Sequence, residues 1–189
     1  MPYAVALRLD AAAAAPIEAM WRALAVAGLH NDSLALGYPP HVTLSIHPDA
    51  ADPARLRKAV AGCAAQWAAV DVTLAGFGVF AMPLPVLFLA PVVTEALLLR
   101  QRALAEVLAG LPGDPHYRPG AWVPHVTLAK GGPAGDPGWL GRALDTLAPL
   151  WPALRPARAE CLELVHFRPV TVLQSHHLPS GLAHAAASV

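Results

Sequence analysis

Cysteine is scarce in this 189-residue chain, where Cys63 and Cys161 are the only two. They lie far apart in apolar or helical contexts, which excludes a disulfide framework and fits two buried free thiols in a reducing cytoplasm. Charge is scarce too: 14% of residues are charged against 56% apolar, and 13 Lys and Arg balance 13 Asp and Glu. So high an apolar share excludes disorder over the whole length. A zero net charge with only two lysines, Lys58 and Lys130, argues against a long RNA track, because a polyanion is gripped through many basic contacts. No stretch approaches the roughly 18 consecutive apolar residues of a membrane span. The start, Met1 to Asp10, carries no basic leader and sets Arg8 and Asp10 within its apolar run, unlike a secretory signal. What remains is a globular cytoplasmic chain, expected to be monomeric and without a membrane partner.

Several chemical signatures are missing as well. Without Gly-x-Ser-x-Gly, a P-loop lysine or paired thiols, the serine hydrolase, NTPase and redox readings fail. Gly76-Phe77-Gly78 lacks the third glycine and the strand-to-helix setting of a dinucleotide fingerprint, and reads as glycines relieving crowding in a strand. No His-x-His, His-Glu-x-x-His or Cys-x-x-Cys spacing supports a metal site. His176 and His177 are adjacent on a strand and point to opposite faces.

The pattern predicts strands over Tyr3–Leu9, His41–Ile46 and His125–Ala129, and hairpins over Val70–Ala81 with Val86–Val92 and over Arg158–Phe167 with Val170–Leu178. Helices are predicted over Ala11–Leu29 after Asp10, Pro53–Trp67 after Asp52, Thr94–Ala109 and Trp139–Leu150. A glycine-rich turn falls at Gly131, Gly132 and Gly135. The two halves repeat in outline. The expected fold class is α+β, with two lobes related by a pseudo-twofold axis, each an antiparallel sheet with helices on its outer face, around a central cleft. Residues 1–178 form one such unit, and 179–189 a loose tail.

The strongest feature present is Pro40-His41-Val42-Thr43-Leu44 and its repeat 84 residues later, Pro124-His125-Val126-Thr127-Leu128. Chance would produce such a repeat far less than once per chain. On a strand, residues i and i+2 share a face, so His41 projects with Thr43, and His125 with Thr127, while Val42 and Leu44 face the core. Two imidazoles facing one small volume can serve as general acid and general base near neutral pH. Two threonine hydroxyls beside them can donate to phosphate oxygens, which suits the opening of a cyclic phosphodiester by in-line attack.

The duplicated His-x-Thr-Leu motif in a duplicated α+β pattern resembles the two-histidine (2H) phosphoesterase superfamily, and within it the bacterial 2′-5′ RNA ligase or cyclic phosphodiesterase branch. The resemblance implies that His41 and His125 are the catalytic pair and that Thr43 and Thr127 bind the phosphate. It also implies no metal and no nucleotide cofactor. By analogy His41 is the acid and His125 the base. Family members hydrolyse 2′,3′-cyclic phosphates, usually to 2′-phosphates, and some join RNA ends through a 2′-5′ linkage.

The scarcity of basic residues favours a small cyclic phosphate or a short RNA end as substrate over RNA joining. A non-catalytic nucleotide- or RNA-binding module of the same fold is the alternative, against which both motif copies are complete. Tyr38, Phe80 and Trp122 are candidates for stacking on a base. Arg118, with Tyr117, is placed to close over a nucleotide. Lys130 is a candidate phosphate contact from the strand end, although its odd offset from His125 predicts the opposite face. His30, His47 and His116 read as exposed loop residues, and Arg168 as a solvated turn residue.

Overall fold

The structure, a computed structural model, describes residues 2–30, 32–131 and 136–180. It shows the expected α+β class, built on two antiparallel sheets. In the first, β1 (Tyr3–Leu9) lies between β2 (His41–His47) and β7 (Ala157–His166). The far edge of β7 is shared end to end by β3 (Val70–Val72) and β8 (Thr171–His177). The second sheet runs β4 (Leu74–Phe80), β5 (Val86–Pro91), β6 (Val126–Lys130).

The helices begin where capping chemistry puts them. For α1 (Ala11–Val26) the Asp10 carboxylate accepts the Ala13 N–H at 3.0 Å, and Gly28, at φ +66°, follows its end. The helix α3 (Pro53–Ala64) has Asp52 as cap and Pro53 in its first turn, and α4 (Glu95–Val107) is capped by Thr94. A four-residue helix, α2 (Asp32–Ala35), precedes β2, and α5 (Trp139–Leu147) precedes β7. Burial of Ile17, Met20, Trp21 and Leu24 gives α1 one apolar stripe, which packs against β6 and α5. The helices α3 and α4 cover the first sheet, against β7, β8 and β2. Helices thus sit on the outer faces, and the opposite faces of the two sheets line one cleft.

Three expectations are corrected. The run Val70–Ala81 is two strands: β3 pairs with β7 of the first sheet and β4 with β5 of the second, so the chain changes sheet at Thr73. The sheets are also not the two halves of the chain. The β4–β5 hairpin joins β6, whereas the β7–β8 hairpin returns to β1. His47 is buried at the end of β2, where Nδ1 donates to the Pro112 carbonyl at 2.8 Å and Nε2 meets Ser45 Oγ at 3.1 Å. Pro179, assigned to the tail, accepts the Ala69 N–H at 2.9 Å. The rest of that tail, 181–189, and Gly132 and Gly135 of the glycine-rich turn lie outside the described residues.

The glycine pair in β4 separates into a free position and a crowded one. A Cβ on Gly76 would meet nothing within 4 Å, whereas one on Gly78 would lie 2.3 Å from the Phe88 ring on the paired strand. Phe88 is buried and packs on Phe80 at 4.5 Å, so its ring has little room to yield. Gly78→Ala should therefore lower stability by about 1–3 kcal/mol, and Gly76→Ala should stay within about 0.5 kcal/mol. Denaturant midpoints check this; equal midpoints would show that the Phe88 ring gives way freely.

Candidate active site

The two copies of the pentapeptide sit on different sheets and adopt the same local structure. His41 opens β2, paired with Arg8, and His125 stands one residue before β6. The ladder slips at the same point of each copy. Along β2 the partners pass from Ser45 to Thr43, so Leu44 is an extra residue; along β6 they pass from Ala129 to Thr127, so Leu128 is extra. A bulge of this kind interrupts the alternation and re-aims the residues beyond it. Ile46 and Lys130, each five positions after a histidine, are thereby brought to the same cleft as His41, Thr43, His125 and Thr127. This corrects the strand-parity expectation for Lys130, whose side chain is exposed and lines the cleft.

The threonine carbonyl at each bulge takes a side-chain donor. Trp122 Nε1 donates to the Thr43 carbonyl at 2.9 Å, and Trp21 Nε1 to the Thr127 carbonyl at 3.1 Å. The threonine hydroxyls have no protein hydrogen-bond partner among the described residues, and both threonines are half-buried in the cleft wall.

The imidazoles are held alike. His41 Nδ1 lies 2.8 Å from the Pro39 carbonyl, and His125 Nδ1 lies 2.8 Å from the Val123 carbonyl. A carbonyl only accepts, so each Nδ1 carries a proton and donates it, and in the neutral ring Nε2 keeps the free lone pair. No described protein group bonds either Nε2. Burial lowers both pKa values from the ordinary 6.5; the carbonyl bonds act in the opposite direction, and the neighbouring His125 lowers His41 further.

The surroundings of the two rings differ. Tyr38 packs on His41 with centroids 4.6 Å apart, and its hydroxyl donates to Glu163 Oε2 at 2.7 Å. Glu163 is buried and also accepts from Arg8 Nε at 3.1 Å and Ser175 Oγ at 2.7 Å. Burial and this carboxylate raise the Tyr38 pKa, so the phenol stays a donor. His125 instead lies between Phe80, edge-on at 4.9 Å, and Phe88 at 5.5 Å.

The cleft has a volume of about 860 Å³, within the range of small-ligand sites. Tyr38, Phe80, Trp122 and Lys130 all line it. Arg118 does not: it is exposed and lies outside the lining. His30, expected in an exposed loop, is half-buried in the wall, where Nδ1 accepts the Lys130 N–H at 3.4 Å and Nε2 meets Ser33 Oγ at 3.2 Å. Arg168 also reaches the cleft, through a two-pronged ion pair with Asp32. Trp21, Asp32 and Glu163 had no signal in the sequence, since each acts through a partner more than 100 positions away.

Among the described residues, Glu160, Cys161 and His177 are the three neighbours with metal-ligating atoms close together. None of the three lines the cleft, and Arg8 Nη2 donates to Cys161 Sγ at 2.8 Å. Both cysteines are free and buried, and no helix among the described residues is long and apolar enough to cross a membrane.

The solved structure of Usb1 from Kluyveromyces marxianus has the same fold, with a TM-score of 0.52 at 16% identity over 94% of this chain and 98% of that one. A second structure of that protein, with uridine monophosphate, aligns at TM-score 0.49 and 18% identity over 94% and 97%. No curated protein matches the chain in sequence. The family model described as the 2′-5′ RNA ligase superfamily matches residues 9–168, the span that holds both His-x-Thr motifs and most of the cleft lining. The chain belongs to the 2′-5′ RNA ligase superfamily, and so to the two-histidine phosphoesterases.

Proposed function

We propose that this protein is a metal-independent phosphodiesterase that opens 2′,3′-cyclic phosphates of nucleotides or short RNA ends to 2′-phosphates, with residues 1–178 acting as one two-lobed unit. The observation that carries this reading is the matched pair of Nδ1–carbonyl bonds, which leaves Nε2 of both His41 and His125 free in one cleft.

In the reaction His125 Nε2 removes a proton from water as its oxygen bonds to phosphorus. The bond from phosphorus to the ribose 3′-oxygen breaks in line, and His41 Nε2–H protonates that oxygen, leaving a 2′-phosphate. Thr43 and Thr127 donate to the non-bridging oxygens, where charge builds in the transition state. Lys130 adds a point charge at the bulged end of β6. Tyr38, Phe80 and Trp122 offer aromatic surface for a base.

The acid role suits His41. It is assigned by analogy with the family: burial and the nearby His125 lower the His41 pKa, and the Pro39 carbonyl and the Glu163 carboxylate act the other way. His125, against two phenylalanines, is better kept neutral. Joining RNA ends is the same chemistry with a 5′-hydroxyl in place of water. It needs two polyanions held in register, for which the chain's basic residues are few.

Chelator-treated protein should convert 2′,3′-cyclic nucleotides to 2′-phosphates. His41→Ala and His125→Ala should each lower kcat by about 10²-fold or more; near wild-type rates in a folded mutant would remove the two-histidine mechanism, and loss in EDTA restored by zinc would remove the metal independence. Tight binding without turnover would mark the chain as a binding module instead. Thr43→Val should lower kcat roughly 10²-fold through one lost donor.

The pH dependence follows from the lowered pKa values. Below both, His125 is protonated and the base is lost; above both, His41 is neutral and the acid is lost. The kcat/KM optimum should therefore lie on the acid side of 6.5, and a bound phosphate, which favours imidazolium, should move the kcat profile to higher pH. An optimum at or above pH 8 would contradict this assignment.

A further inference from the structure

We infer that the Asp32–Arg168 pair sets the number of phosphates the cleft recognises to one, so that a second phosphate on the substrate adds little or no affinity over a single-phosphate ligand such as a free cyclic mononucleotide. The inference rests on the phosphodiesterase reading of the same cleft. Arg168 belongs to the turn between β7 and β8, on the rim of the first sheet. Asp32 opens α2, which packs on β6 of the second sheet, where Ser33 Oγ donates to the Leu128 carbonyl at 3.4 Å. Both guanidinium Nη atoms donate to the two Asp32 oxygens, Nη1 to Oδ1 at 2.7 Å. The pair thus reaches from one sheet to the other, and both residues line the cleft. Each group favours the charged form of its partner, with Asp32 shifted down and Arg168 shifted up.

The charge on the cleft wall is small. Histidines aside, its described cations are Lys130 and Arg168, and its carboxylates are Asp32 and Asp114. Asp114 meets His116 Nδ1 at 2.9 Å, and Asp32 engages Arg168. Lys130 alone of these cations has no ion-pair partner among the described residues. Two imidazoles, two hydroxyls and one ammonium suit a single phosphate. A second one, as on the next nucleotide of an RNA end, would meet a guanidinium fork already filled and a carboxylate that repels it. The fork–carboxylate arrangement uses the same two parallel donors that would otherwise take a phosphate, so Asp32 competes directly for that site. The ion pair is partly exposed, at 48% for the Arg168 side chain and 34% for Asp32, and such pairs contribute little to stability, so its removal should leave the fold intact.

Calorimetric titration of the full chain with adenosine 2′-phosphate and adenosine 2′,5′-bisphosphate tests this without requiring turnover, and hydrolysis of 2′,3′-cyclic AMP is followed in parallel. The wild type should bind the two probes within about threefold of one another, and Asp32→Asn should shift the ratio about tenfold towards the bisphosphate, as one charge-assisted contact would. Adding Arg168→Ala to Asp32→Asn should return the ratio to its wild-type value. A wild type that already prefers the bisphosphate tenfold, or a ratio unmoved by Asp32→Asn, overturns the inference. Hydrolysis with an unmoved ratio leaves the phosphodiesterase reading standing and removes this one; the expected shift without hydrolysis does the reverse. Failure of the folded wild type to bind either probe overturns both.

Discussion

A hydrogen bond at one imidazole nitrogen fixes the tautomer and leaves the other nitrogen to act, and in this protein a backbone carbonyl makes that choice twice. The Pro39 and Val123 carbonyls each stand two residues before the histidine they bind. Such a short loop back requires the chain to turn just ahead of the strand, and the proline between carbonyl and histidine helps it do so by fixing its own φ. Everything else in the cleft is arranged around these two rings. The threonines share their face, the bulges bring Ile46 and Lys130 beside them, and the aromatic walls limit their access to water.

The bulges also show how a duplicated backbone can carry unlike sites. Leu44 and Leu128 interrupt their ladders at equivalent points, so the positions that follow are geometrically matched. Their side chains are not: one copy ends in Ile46, the other in Lys130. In the same way a tyrosine tied to a buried carboxylate packs on His41, while two phenylalanines enclose His125. The scaffold is near-symmetric and its electrostatics are polar, so the cleft has a direction.

Much of this was legible in the sequence, because local rules governed it. The repeat located both candidate histidines and threonines, and Asp10, Asp52 and Thr94 marked the starts of three helices. Legibility ended where an outcome depended on a distant partner. Strand parity placed Lys130 on the wrong face, since a bulge is a property of a pairing and not of one strand. A largely apolar run concealed the change of sheet at Thr73, since nothing local to Val70–Ala81 shows that its two parts pair with different strands. His47 looked like a loop residue until the Pro112 carbonyl, 65 positions on, was folded against it. Asp32 and Arg168 are 136 positions apart, and neither has a local pattern that suggests the other.

The two indole bonds have a consequence for how the protein folds. Trp21 comes from the first half of the chain and satisfies a carbonyl on β6; Trp122 comes from the second half and satisfies one on β2. With the hairpins exchanged between sheets, neither sheet can be completed from one half alone. Cooperativity is therefore imposed by connectivity: the halves gain their order together, in one transition. The motif occurs twice, but the exchange of strands and indoles makes its two settings inseparable, so the cleft exists only in the assembled whole.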